Sequence, residues 1–296
     1  MITNDFRGAG RAGASSGSSR RALGAILVDA GLLEADAIEH ILRGQREHGQ
    51  SFGQAAIRLG LLNPADVALG LARQFDCPYV LEGDSILSDE LVLAYQPFGE
   101  QAEAVRVLRS ELMQRWFSGQ AGRRHALAVT SAQRQEGRSF LAANLAVAFS
   151  QLGQRTLLID ADMRQPRQHS LFGLANSMGL AALLSGRAGL SAIAPIPDLP
   201  SLSVLAAGIA PPNPAELLAR PAFAQLLDEL AHTYDVVLID TPAAGDSIDA
   251  RSVAIGAGAA LVVARKDASA LGAVTQLAAT MGQAGIAVLG AVLNEF

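Results

Sequence analysis

Ala126-Leu127-Ala128-Val129-Thr130-Ser131-Ala132-Gln133-Arg134-Gln135-Glu136-Gly137-Arg138-Ser139-Phe140 is the stretch that decides the fold of this chain. It opens as an apolar run of strand length, passes through a polar loop and continues into a helix, Phe140 to Leu152. That order presents backbone N–H groups at a helix N-terminus, where phosphate binds. Ala132 to Ser139 has the spacing of a Walker A motif, with Ala132 standing for the first glycine and Arg138 for the lysine. Ala132, Gln135, Glu136, Gly137, Arg138, Ser139 and Phe140 are therefore the candidate nucleotide-binding residues, and the Ser139 hydroxyl is placed to ligate Mg²⁺.

Two strands downstream repeat the design. Thr156-Leu157-Leu158-Ile159-Asp160 is apolar and ends in a carboxylate, with Asp162 and Arg164 following at once. Asp235 to Asp240, then Thr241-Pro242, reads as a Walker B strand whose Asp240 holds the Mg²⁺ shell. In a parallel sheet such residues emerge at the carboxyl edge, where ligands bind. A last strand, Ala287 to Leu293, ends in Asn294, an adenine contact or a turn residue. The expected fold is α/β, a mostly parallel sheet flanked by helices.

Composition narrows the class. The longest apolar run, Val253 to Ala264, is shorter than the roughly 20 residues that a spanning helix needs, so a soluble chain is expected. Residues 1–20, rich in Gly, Ser and Arg, read as a disordered leader without secretory character, which points to the cytoplasm. Cys77 is the sole cysteine, which excludes an internal disulfide and a Cys-rich zinc site. A net charge of −5 gives no case for nucleic acid as a partner. Only Lys266 among the 23 basic residues is a lysine, so arginine at position 138 is weighed against a general preference for arginine.

Towards the N-terminus, Leu23-Gly24 recurs 29 residues on as Phe52-Gly53, and Gly31-Leu32-Leu33 as Gly60-Leu61-Leu62. Val28 pairs with Ile57, Ile38 with Val67, Leu42 with Leu71 and Gln45 with Gln74, so two whole units repeat. Each reads as two helices, Leu23 to Ala30 and about Ala35 to Gln45 in the first copy, with apolar residues at Ile38, Ile41 and Leu42. Residues 21–80 are thus expected as a small all-α repeat domain. It resembles the N-terminal domain of type II secretion and pilus ATPases, whose MshEN form binds cyclic di-GMP. That family has an arginine before each Leu-Gly where Ala22 and Ser51 stand here, and the replacement favours protein docking or a structural role over the dinucleotide.

Residues 81–100, with a Gly-Asp-Ser stretch and Pro97, read as a linker around a short helix near Leu91. From Gln101 to Trp116 the apolar residues Val105, Leu108, Leu112 and Trp116 recur at helical spacing, while Glu103, Arg106 and Arg109 share another side of the helix. By composition alone these charges read as a solvated face.

Ile159-Asp160-Ala161-Asp162-Met163-Arg164 and Pro211-Pro212-Asn213-Pro214-Ala215-Glu216-Leu217-Leu218 both resemble the bacterial tyrosine kinases, over Glu103 to Asn294. With the repeat domain in front, the chain is similar to EpsG-type chain-length-determinant kinases of exopolysaccharide biosynthesis. The resemblance implies a P-loop kinase domain over residues 101–296 and phosphoryl transfer from MgATP to tyrosine. It makes Arg138, Asp160, Asp162 and Arg164 catalytic, Ser139, Asp160 and Asp240 metal-binding, and Glu103, Arg106 and Arg109 the contacts of a ring of subunits. It also implies recruitment to the inner membrane by a polysaccharide co-polymerase. Such kinases end in a tyrosine cluster, whereas this sequence ends Asn294-Glu295-Phe296 and its tyrosines are Tyr79, Tyr95 and Tyr234, so an acceptor is expected there or on a partner. The alternative is a switch without kinase chemistry, like the partition and septum-site ATPases. Those carry a lysine where Gln133 stands.

Overall fold

Short helices closed by glycine, and buried strands closed by aspartate, build the two units of the computed structural model, Met1–Asp76 and Cys77–Phe296. The structure describes residues 22–74, 80, 85–118 and 125–295. The expected leader, Cys77, Tyr79, Glu82 to Asp84 and Phe296 lie outside them.

In the first unit, α1 (Leu23–Asp29) and α2 (Ala37–His48) are followed by their counterparts α3 (Phe52–Arg58) and α4 (Pro64–Gln74). Gly31 and Gly60, at φ +70° and +68°, turn the chain at matching places after α1 and α3, where a side chain would be strained. The packing is crosswise: α1 lies on α4, and α2 on α3. Leu27, Ile41, Ala55, Ala56, Leu33 and Leu62 from both copies form one core. Leu42, expected on the apolar face, is 38% exposed. Ser51 starts α3 by a capping box, its hydroxyl accepting from Gln54 N while its own N–H donates to the Gln54 side chain. Serine at this position thus has a local structural reason.

The second unit begins with the segment that reads as a linker, and there the structure differs. Leu87, Leu91, α5 (Val92–Tyr95) and Val80 are buried in its core. Gly, Ser and Pro mark bends in this segment, but its leucines are what fix it. Helix α6 (Glu100–Leu112) follows and ends in a π-helical turn, Met113–Phe117, which carries Trp116 inward so that its Nε1 donates to Ala126 O at 2.9 Å.

Beyond it run β1 (Ala126–Ser131), α7 (Arg138–Gln151), β2 (Thr156–Asp160), α8 (Gln168–Leu171), α9 (Leu180–Leu184), β3 (Ala194–Pro195), β4 (Leu202–Leu205), α10 (Pro214–Leu218), α11 (Pro221–Leu230), β5 (Val236–Asp240), α12 (Asp249–Ala257), β6 (Ala259–Arg265), α13 (Leu271–Gln283) and β7 (Ala287–Asn294). They make a seven-stranded sheet, β3-β4-β2-β5-β1-β6-β7, parallel throughout except for the β3–β4 pair. Side chains alternate across it. Leu127, Val129, Leu158 and Leu238 pack on one face with α7, and Ala128, Leu157, Ile159 and Ile239 on the other with α11 to α13. Burial on both faces explains why these strands are continuous apolar runs. The run Val253 to Ala264 is no single element: it is the end of α12, a left-handed Gly258 and most of β6.

Among the described residues no helix is long and apolar enough to cross a membrane.

Candidate nucleotide and metal site

Because β2, β5 and β1 are adjacent and parallel, their carboxyl ends meet at one edge, and Asp160 lies directly opposite Asp240 in the register. The loop after β1 has positive φ at Gln135 (+59°) and at Gly137 (+91°), the residue that caps α7. Helix α7 spans 14 residues, so its dipole favours an anion in this loop. Gly245 braces the loop from behind: its N–H donates to Ala132 O at 3.0 Å, and a Cβ there would stand 2.7 Å from that oxygen.

Arg138 is buried, and its guanidinium is held by protein oxygens. Nε donates to Thr241 O at 2.9 Å, and Nη1 to Gln133 O at 2.7 Å and to Ser131 Oγ at 2.5 Å. It therefore ties the loop to the end of β5. Glu136 turns inward, where its carboxylate accepts from Gln133 N at 2.8 Å and from the Ser269 hydroxyl. Its own carbonyl accepts from Asn294 Nδ2 at 3.0 Å. Both residues shape the loop. Gln135, Gly137, Phe140, Arg265 and Asn294 line a cleft of about 910 Å³ beside it, wide enough for a nucleoside.

Asp160 is fully buried and bonded on both oxygens. Oδ2 accepts from Arg167 N and Gln168 N, both at 2.9 Å, and Oδ1 from Asp162 N at 3.1 Å. Burial, then the Asp240 charge, holds its pKa well above the usual carboxylate range. Asp240 is pushed up to about 6, chiefly by burial; hydrogen bonds from Gln168 and Ser139 and the Arg138 charge pull the other way. Its Oδ1 is buried without a partner. Asp162 has Oδ1 bonded to Arg164 N and Gln165 N, at 3.2 and 2.9 Å.

A metal–nucleotide complex fits these donors. Among the described residues no group of three or more His, Cys, Asp or Glu side chains could hold a metal by itself. Mg²⁺, however, takes one or two carboxylates and completes its shell with phosphate and water. The orphaned Asp240 Oδ1 is the oxygen such an ion would satisfy.

The remaining expected residues are dispersed. Arg164 Nε pairs at 2.8 Å with Asp249, a buried carboxylate in the first turn of α12. Glu216 of the Pro-Pro-Asn-Pro segment adds its charge, and together they favour the protonated guanidinium. On α6, Arg106 reaches Glu103 at 3.5 Å, and Arg109 Nη1 donates to Ala148 O at 3.0 Å in the last turn of α7. Arg109 is thus half-buried in its own subunit, whereas Glu103 is exposed. Sequence reasoning missed Asp249, Gln168 and the ion pair of Arg167 with Glu90, in which Nη2 donates to both carboxylate oxygens at 2.6 and 2.7 Å. None carries a local pattern.

The ParA family model, described as NUBPL iron-transfer P-loop NTPase, matches residues 122–295. The putative tyrosine-protein kinase CapB of Staphylococcus aureus is 36% identical over 200 residues, 68% of this chain and 86% of that protein. The tyrosine-protein kinase wzc of Salmonella typhimurium is 35% identical over 70% of this chain, but the match spans only 28% of wzc. Among solved structures, the kinase domain of Escherichia coli tyrosine kinase ETK superposes with a TM-score of 0.65 at 33% identity, covering 69% of this chain and 79% of that one. On a ParA-type P-loop fold, the chain belongs to the bacterial tyrosine-protein kinase family.

Proposed function

We propose that the chain is a MgATP-dependent protein-tyrosine kinase that regulates exopolysaccharide polymerisation and export. The supporting observation is the meeting of the α7 loop, Asp160 and Asp240 at one sheet edge, with one Asp240 oxygen buried there and unpartnered. Bound MgATP would supply the phosphoryl group and neutralise its charge. Loop amides would hold the phosphates, Arg138 fixes the loop that presents them, and Ser139 Oγ and Asp240 Oδ1 would hold the metal. Asp160, with three backbone N–H groups on its carboxylate, acts as a strut and second-rank metal residue. Asp162 is the better base: its Oδ2 accepts the tyrosine proton as the phenolic oxygen bonds to phosphorus and the bond to the leaving diphosphate breaks. Arg164, oriented by Asp249, faces the incoming peptide.

Tyr95 does not serve as acceptor in this fold, since it is buried and its hydroxyl donates to Leu87 O at 2.7 Å. The acceptor is then Tyr79, Tyr234 or a tyrosine of a partner. We also infer an EpsG-type role: an MshEN-like first unit that docks a protein rather than cyclic di-GMP, peripheral recruitment by an inner-membrane co-polymerase, and subunit association through Glu103 and Arg106. One observation favours the alternative switch reading, the anchorage of Arg138 by three oxygens. Incubation with MgATP and the co-polymerase's cytoplasmic segment, followed by phosphotyrosine mapping with Asp162→Asn as control, separates the two. Phosphotyrosine lost in the variant supports the kinase. Nucleotide binding with no phosphotyrosine under any condition would leave the switch.

A further inference from the structure

Gln168 joins all three strand-edge elements, and nothing in a sequence motif requires it to. It is fully buried. Its backbone N–H donates to Asp160 Oδ2 at 2.9 Å. Its Nε2 donates twice, to Ser139 O at 3.1 Å in the first turn of α7 and to Asp240 Oδ2 at 2.8 Å at the end of β5. Its Oε1 is buried without a partner, as is Asp240 Oδ1. Two buried, unpartnered acceptors on side chains that bond each other are costly unless something fills the space they face.

We propose that Gln168 is the positioning residue of the metal site: its amide pins Asp240 by Oδ2 so that Oδ1 is presented to the cation, and its Oε1 accepts from a water of the cation's shell. Only a primary amide of this length does both. It supplies two N–H donors to two oxygens and keeps an acceptor on the same rigid plane. Glutamate would set an acceptor against Ser139 O and Asp240, and leucine would strand both. The inference rests on the Mg²⁺–nucleotide reading of the site and assigns to it a residue acting through a metal ligand rather than on the substrate.

Calorimetric titration of the full chain with ADP, once with Mg²⁺ and once with EDTA, tests it without turnover. In Gln168→Leu the affinity with EDTA is expected to stay within about twofold of wild type, because the phosphate contacts remain, while the Mg²⁺-dependent gain shrinks about 10- to 100-fold. Gln168→Asn, one methylene too short to span both oxygens, is expected to follow it and decides the matter if the leucine variant fails to fold by circular dichroism. Equal Mg²⁺ dependence in variant and wild type, or affinities that fall in parallel with and without Mg²⁺, overturns the role given to Gln168. A wild-type chain whose ADP affinity ignores Mg²⁺ would instead overturn the reading of the site, and this inference with it.

Discussion

A single added methyl group can test how rigid the phosphate loop is. At Gly245 a Cβ would lie 2.7 Å from Ala132 O, and backbone oxygen cannot swing aside as a side chain can. Gly245→Ala is expected to displace the loop at a cost of about 1–3 kcal/mol and to weaken ADP binding, read by calorimetry. Unchanged affinity would mean that the loop yields freely. Protons test the same edge. Asp240 has a folded pKa of about 6, above the ordinary value near 3.9 expected in the unfolded chain. Its contribution to the nucleotide-free fold is thus fully present below about pH 4 and is lost as pH rises through about 6. Metal binding runs the other way, since the proton must leave Asp240 Oδ1 or Oδ2, so MgADP affinity should fall as pH drops below about 6. Melting and calorimetry across this range should show both slopes weakened in Asp240→Asn, with part of the melting slope kept by Asp160, whose pKa is raised chiefly by burial. At this scale Asp160, Asp240, Ser139 and the loop were legible because a buried parallel strand ending in aspartate is a local pattern. Gln168, Asp249 and Glu90 act on partners 72 to 85 residues away, and no window of sequence contains such a pair.

Among the elements, α6 separates two kinds of arginine that look alike as i, i+3 and i+6 charges. Arg109 donates into the carboxyl end of α7, where orphan carbonyls favour a cation. Arg109→Ala should therefore destabilise the second unit by about 1–2 kcal/mol in denaturant melts. Arg106, by contrast, has a weak exposed pair with Glu103, worth under about 1 kcal/mol. Glu103→Ala with Arg106→Ala should leave the melt unchanged and reduce the mass of oligomers formed with MgATP in light scattering. Equal masses would remove this face from the interface. Periodicity located α6, yet it could not say which charges fold back. Nor could it split Val253 to Ala264 into helix and strand, because an apolar run satisfies both until Gly258 turns it. In segment 85–95 the short helix expected near Leu91 is α5, but bend-forming residues disguise as a linker what the leucines between them bury in the core. Asn144 of α7 holds the segment, accepting from Leu93 N and donating to Glu90 O, and those long-range bonds are absent from any local pattern.

Taken whole, each unit is completed by sequence that arrives late. In the first, the crosswise packing of the repeats makes neither copy self-sufficient. A Cβ at Gly70 of α4 would meet Leu23 at 2.7 Å and Leu27 at 2.8 Å in α1. Gly70→Ala should thus cost about 1–3 kcal/mol, and hydrogen exchange should accelerate in α1 and α4 together. Acceleration confined to α4 would argue against a shared core. In the second unit the order β2-β5-β1-β6 has a temporal meaning. Strands β1 and β2 are made early but do not touch; β5 must enter between them, and β6 must close the other side of β1. A nascent chain halted after β2 carries two apolar strands with open edges, the condition that chaperones shield. A nucleotide held at the proposed site would offer such an intermediate no help, because the carboxylate of β5 is still missing, and the cleft is complete only when β7 brings Asn294 to it.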